Sequence, residues 1–395
     1  MPDGALATDL HLIPEHNLAL AVADGSALRG VAVLDLQSGE RIEILVPRAK
    51  DSDQELTITS FTVGSDRIAA MAYEGNSSPR QVFIFVYDAA DRTLLHQLDL
   101  PEQYSDHAPE IGTPDGLLIT GEYLLVKMVL RDKLDNNDPV MPQYDLASGD
   151  FVRAIGLMEL DPNAENGWFG SRPSTPDYFF ANAVTAEGML FTAPMPWDQP
   201  ESVTVLAFDL DRGEASDALP TVDGTGRFAT LAAVDGNNLF YTLTPPLATH
   251  QNVIAVGTAI RVERDTGKVL ATYSDPFASE TGEMSMNEFI ASHAATGVKP
   301  YAGSRFPEGF SVSEDYVVAS APNAPVDDNP GAGAVVIFDM ETGKPLSLIL
   351  PEAADPEAHF GRVFAHQGNL VLISTQNNTP SPQRGAQELV LYRLD

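Results

Sequence analysis

Residues 309–350 read GFSVSEDYVVASAPNAPVDDNPGAGAVVIFDMETGKPLSLIL, and this stretch holds two successive hairpins. The first, GFSVSEDYVVASAP (309–322), is a strand, a tight polar turn and an apolar strand. The second, AVVIFDMETGKPLSLIL (334–350), is an apolar strand, an acidic residue, a Thr-Gly turn and a second short strand. Alternation with a period of two marks half-buried strands. In Asp339-x-x-Thr342-Gly343 the carboxylate is placed to accept N–H bonds from the turn. The glycine supplies the φ > 0 conformation that closes it.

Both halves recur. The second returns around Asp35 and Gly39, Asp145 and Gly149, Asp209 and Gly213, and Glu263 and Gly267. It also returns around Asp88 without the glycine, and ELVLYRLD at the end of the chain covers only its first half. The first half appears at 10–25, 60–75, 117–130, 182–195, 230–244 and 362–375. Two hairpins per unit give four antiparallel strands, which is one propeller blade of roughly 55–60 residues. The expected fold is therefore all-β: a single seven-bladed β-propeller of four-stranded antiparallel blades over 1–395. The blades are placed at about 8–47, 57–100, 111–160, 176–220, 227–274, 306–351 and 359–395. A short helical insertion is expected in 275–305, between blades five and six. There EMSMNEFIASHAA (283–295) puts Met286, Phe289, Ile290 and His293 on one helical face. The seventh unit runs out before a fourth strand. Either Pro2 to Thr8 supply it and close the ring, removing an exposed edge, or the last blade has three strands.

A chain of 395 residues exceeds what one ordinary core organises, and a closed array of repeats accommodates it. With 56 acidic against 23 basic residues the formal net charge is −33. Such a surface repels phosphate backbones, so nucleic acid is not expected as a partner. The lack of a long apolar run excludes a transmembrane helix and with it membrane insertion of that kind. The absence of cysteine removes disulfides and thiolate chemistry. Met1-Pro2-Asp3-Gly4 has neither a basic n-region nor an apolar h-region. The expected location is extracellular or periplasmic after removal of a leader, with the cytoplasm as the alternative.

Phe360-Gly361, Ala321-Pro322 and Gly333-Ala334-Val335 in the last two units, with Phe169-Gly170 earlier, give the chain its most specific text. On these residues it resembles bacterial FG-GAP-like propeller repeats. ERDTGKVLATY (263–273) is also similar to a PQQ-like repeat, with Tyr273 where a docking tryptophan would sit. The resemblance implies a propeller. Because FG-GAP-like repeats often carry calcium on acidic loops, it also directs attention to such loops here.

Calcium needs several oxygen ligands converging from a short loop. Asp161, Asn163 and Glu165 alternate ahead of Gly167, and Asp327, Asp328 and Asn329 precede Gly331. Asp132 to Asp138 is rich in oxygen ligands but contains Lys133 and lacks glycine. None reproduces a complete calcium loop, so the cofactor expectation is none, or Ca2+ on the first two. The histidines show no metal-ligand spacing, although His359 and His366 flank an expected inner strand. Nucleophile elbows and phosphate loops are missing. Strands keep their pattern while loops vary in length, and loops are where such scaffolds place recognition. The expected function is a non-catalytic binding or scaffold propeller, a monomeric domain recognising a protein or glycan through its loop face, with Trp168, Phe169 and Trp197 as exposed anchors. The alternative is a polysaccharide lyase or hydrolase acting in the central cavity.

Overall fold

The structure is a computed structural model that describes residues 6–25, 28–48, 56–74, 82–101, 116–131, 137–160, 183–193, 202–216, 219–223, 228–244, 253–254, 257–277, 284–285, 306–327, 329, 331–352, 358–375 and 388–394. Among the described residues, seven antiparallel sheets of three or more strands follow one another along the chain, the fold class of a seven-bladed β-propeller, with two two-stranded sheets (Ser202–Val203 with Val222–Asp223, and Val253–Ile254 with Met284–Ser285) beside them. Blade 1 runs Leu6–Ile13, Leu18–Gly25, Leu28–Asp35 and Arg41–Leu45. Blade 2 runs Leu56–Gly64, Arg67–Glu74, Val82–Asp88 and Leu94–Leu98. Blade 3 uses Leu117–Thr120, Tyr123–Val126 continued by Met128–Arg131, Asn137–Asp145 and Phe151–Gly156, its second strand being interrupted at Lys127. Blade 4 is short: Val184–Ala186, Met189–Thr192, Leu206–Asp209 and Glu214–Ala215. Blade 5 has Phe228–Asp235, Asn238–Thr244, Thr258–Glu263 and Val269–Ser274. Blade 6 has Phe310–Val312, Tyr316–Ala321, Ala334–Asp339 and Pro345–Ile349.

Blade 7 has three strands among the described residues, Phe364–Gln367, Leu370–Thr375 and Glu388–Arg393. Leu6, Ala7 and Thr8 open the strand Leu6–Ile13, and Ala7 groups with the compact unit that holds blade 7, while Pro2–Ala5 lie outside the described residues. Of the expected helix at 283–295, Met284–Ser285 is a two-residue strand paired with Val253–Ile254, and 286–295 lies outside the described residues. Helix among the described residues is limited to Leu157–Leu160 and the single 3-10 turn Pro14–His16.

Each outer hairpin closes as its residue types require. The Asp145 carboxylate accepts N–H bonds from Ala147 at 3.0 Å and Ser148 at 2.7 Å, and Asp35 does the same for Gln37 and Ser38. In blade 2, where the glycine is missing, Arg92 takes the left-handed position at φ 64. Its guanidinium is held by the Ala90 carbonyl and by Glu43.

The chain divides into two compact units, one of Thr8–Pro196 with Thr204–Leu219, the other of Met1–Ala7 and Trp197–Val203 with Pro220–Asp395. Within each, the core lies between blades. Ile68, Ala70 and Ala72 pack towards blade 1, while Ala69 and Met71 on the same strand pack towards blade 3. In the second unit Ala334, Val336 and Phe338 face blade 5, and Val335 and Ile337 face blade 7. Successive side chains point to opposite faces of a strand. A blade with a neighbour on each face therefore buries both sets, and its middle strands read as continuous apolar runs. Tyr273 lies in the core between blades 5 and 6. It is fully buried, stacks edge-on against Phe338 at 5.6 Å and donates its hydroxyl to the Met340 carbonyl at 2.7 Å.

Candidate functional site

Antiparallel order makes the two ends of a blade unequal. The turns between first and second strands, and between third and fourth, sit at one end and are short, such as Ser65-Asp66 and Gly236-Asn237. The connections from second to third strand, and from one blade to the next, leave the other end. In blades 6 and 7 these are 322–333 and 350–363, together with the entry at 306–309.

At that end a pocket of about 230 Å³ is lined by Glu308, Pro322, Asn323, His359 and Arg362. Backbone hydrogen bonds build it. The 322–333 connection folds on itself through Ala324 N–H to Ala321 O at 2.9 Å and Gly333 N–H to Ala324 O at 3.0 Å. The chain entering blade 7 docks on it, with His359 N–H donating to Gly331 O at 2.9 Å and Phe360 N–H to Ala332 O at 3.0 Å. Gly333 forms a parallel bridge with Phe360, and a Cβ built on Gly333 would fall 2.4 Å from the Phe360 nitrogen and oxygen. Only glycine permits that approach. Phe360, 1% exposed, anchors the segment in the core between blades 6 and 7.

This docking fixes the polar groups. His359 sits at φ 52, a left-handed backbone uncommon outside glycine and frequent at functional sites. Its Nδ1 lies 3.2 Å from the Pro322 carbonyl oxygen. A carbonyl can only accept, so Nδ1 carries the proton, and Nε2 of the neutral ring is left as an acceptor. Arg362 Nε is 3.6 Å from Glu308 Oε1 in a loose ion pair, with the two side chains 48% and 30% exposed. Asn323 is 9% exposed, and no hydrogen bond to its side-chain amide is present among the described residues. The pocket therefore presents donors on Asn323 and Arg362 and acceptors on Asn323, His359 and Glu308, in a frame already assembled.

The first strands of blades 6 and 7 hold a second polar group. His366 Nε2 lies 2.9 Å from the Gly368 carbonyl oxygen, so it carries the proton, and Nδ1 accepts from Ser311 Oγ at 3.3 Å. Ser313 Oγ is 3.3 Å from Nε2. Burial pushes the His366 pKa down, against a smaller upward effect of the Gly368 carbonyl. The ring is thus held neutral beside a hydroxyl, an arrangement from which a base can take a proton.

Of the residues expected from sequence, Trp168, Phe169, Trp197, Asp161, Asn163, Glu165 and Asp328 lie outside the described residues. Asp327 (φ 50) and Asn329 form a tight turn beside the pocket, closed by paired bonds between Val326 and Asn329. The Asn329 amide donates to the Asp327 carbonyl at 3.4 Å. No cluster of three or more acidic or histidine side chains fit for a metal ion occurs among the described residues. Sequence reasoning weighed His359 but missed Glu308, Asn323 and Arg362. The available signal was the Phe-Gly, Ala-Pro and Gly-Ala-Val text, whose residues flank or build the pocket.

No helix among the described residues is long and apolar enough to cross a membrane. No protein-family model matches the sequence, and no curated protein matches it. Solved structures do. The β-propeller domain of the Trilobed protease from Pyrococcus furiosus is similar with a TM-score of 0.53 at 10% identity, covering 98% of this chain and 95% of that one. Pyrococcus horikoshii acylaminoacyl peptidase is similar with a TM-score of 0.55 at 10% identity, covering 98% of this chain. This chain spans 51% of that peptidase. At such identities the likeness is one of fold, and the fold it supports is the seven-bladed β-propeller.

Proposed function

We propose that this chain is a non-catalytic recognition propeller that holds a protein or glycan ligand at the blade end from which the long connections leave. The pocket of Glu308, Asn323, His359 and Arg362 serves as its anchor. One observation carries the reading: the chain entering blade 7 docks by backbone hydrogen bonds on the 322–333 connection and preassembles a pocket onto which Asn323 opens, with no hydrogen bond to its side-chain amide among the described residues. The backbone bonds that preassemble the pocket lower the ordering penalty of binding. Trp168, Phe169 and Trp197, outside the described residues, are proposed as further anchors of the same ligand. The test is to screen the immobilised chain against peptide and glycan arrays and repeat each hit with Asn323→Ala and Arg362→Ala. Hits that ignore both substitutions would remove the pocket from the function.

A second reading, a hydrolase, is favoured by the Ser311–His366 geometry, in which an oriented neutral imidazole accepts a hydrogen bond from a hydroxyl. Here Ser311 would act as nucleophile and His366 Nδ1 as its base. Covalent labelling by a fluorophosphonate, lost in Ser311→Ala, would support it. An unlabelled wild-type chain would dismiss it.

A further inference from the structure

We infer that the pocket between blades 6 and 7 takes one neutral, polyhydroxylated unit, such as a terminal hexose, in preference to an anionic or a cationic group; this rests on the recognition reading above. Charge comes first. Arg362 and Glu308 face each other at 3.6 Å, so the described lining of the pocket contains one arginine and one carboxylate. A carboxylate or phosphate entering beside Arg362 meets Glu308, on a chain of net charge −33. An ammonium group entering beside Glu308 meets Arg362. Like charges at such distances are repelled, and neither ligand leaves the pair balanced.

Hydrogen-bond capacity comes second. The Asn323 amide and the Arg362 guanidinium donate, while the Asn323 carbonyl, His359 Nε2 in the neutral ring and the Glu308 carboxylate accept. A hydroxyl is donor and acceptor at once. Two or three adjacent hydroxyls on a ring therefore satisfy both sets, which a purely accepting anion or a purely donating cation does not.

Size comes third. The volume, about 230 Å³, falls below the ~300–1,000 Å³ of pockets for drug-sized ligands, so it fits a single unit and not a stretch of chain. Pro322 is the least polar of the lining residues, and its ring offers a small face for a sugar's C–H surface.

The experiment is isothermal titration of the full chain with methyl glycosides of the common neutral hexoses, with sodium glucuronate and with glucosamine hydrochloride, at equal concentrations. At least one neutral glycoside is expected to bind more tightly than its charged counterparts. Asn323→Ala should weaken it about tenfold while leaving the melting temperature in place. Asn323→Leu keeps the side-chain size and removes the amide's donors and acceptor without adding charge, so it gives the same reading if alanine disturbs the fold. Preference for glucuronate or glucosamine, or no binding of any sugar, would overturn the assignment. A peptide that binds wild type and is lost in Asn323→Ala overturns the sugar assignment but leaves the recognition reading standing. A ligand indifferent to both Asn323 variants overturns both.

Discussion

Gly343, in the turn between the last two strands of blade 6, is pressed against Thr272 on the outer strand of blade 5: a Cβ built on the glycine would fall 2.2 Å from the Thr272 carbonyl oxygen. Its φ of +68 alone favours glycine, but the neighbouring backbone makes the demand far stricter. Gly343→Ala is expected to lose about 1–3 kcal/mol for the left-handed conformation and about 1–3 kcal/mol more for displaced backbone. Gly39, in the matching turn of blade 1, has nothing among the described residues within 4 Å of its would-be Cβ, so Gly39→Ala is expected to lose only the conformational part. Urea denaturation of both variants makes the comparison. Equal losses would mean that blades 5 and 6 do not meet in this way.

Tyr241 is fully buried in blade 5, and its hydroxyl has no hydrogen-bond partner among the described residues. Burial accordingly pushes its pKa up. Removing an unsatisfied buried hydroxyl while keeping the ring takes away a desolvation penalty. Tyr241→Phe is expected to be neutral or stabilising by about 1 kcal/mol. A clear drop in the urea midpoint would show that the hydroxyl has a partner.

The half-buried His366 makes stability depend on mildly acidic pH. Its folded pKa lies below the ordinary 6.5, so the unfolded chain binds the proton first. Stability is then full above about 6.5 and declines as pH falls from there through the lowered folded value. His366→Gln should flatten that part of a melting-temperature profile. The turn carboxylates act in a separate window. Backbone and hydroxyl bonds from Ser38, Ser148 and Thr342 lower the pKa values of Asp35, Asp145 and Asp339 below 3.8. Their contribution holds above 3.8 and is lost as pH drops through the lowered values. A His366→Gln profile that still declines near pH 6 would assign the effect to another group.

Asp145 accepts the N–H groups of Ala147 and Ser148 in the outer turn of blade 3. Asp145→Ala should speed hydrogen exchange at those two amides and lower the melting temperature, leaving the amides of the Asp35 turn unchanged. Unchanged protection at Ser148 would show that the turn holds without its carboxylate.

The outer hairpins could be read directly because the bonds that close them join residues two or three positions apart, as from Asp145 to Ala147 and Ser148. The continuous apolar runs at Ile68–Ala72 and Ala334–Phe338 could be recognised as strands, but not as strands buried on both faces. That property depends on which blades flank them. The site was less legible. Glu308, Asn323, His359 and Arg362 are separated by up to dozens of residues, and each is unremarkable in its own stretch. They meet because His359 and Phe360 donate backbone hydrogen bonds to Gly331 and Ala332, and nothing local to either segment announces that pairing.

By itself, then, the sequence determined the repeating unit: strand periodicity, the acidic turn residue and the glycine that follows are local chemistry, complete within each hairpin. The tertiary structure alone decided that blade 7 carries three strands among the described residues. It also decided that Gly343 lies against Thr272 and that a loosely paired arginine shares one pocket with an asparagine whose amide has no partner among the described residues. The physical reason is range. A turn is fixed by hydrogen bonds across a few residues, whereas packing and pocket geometry are fixed by surfaces that meet only after each blade has found its neighbours.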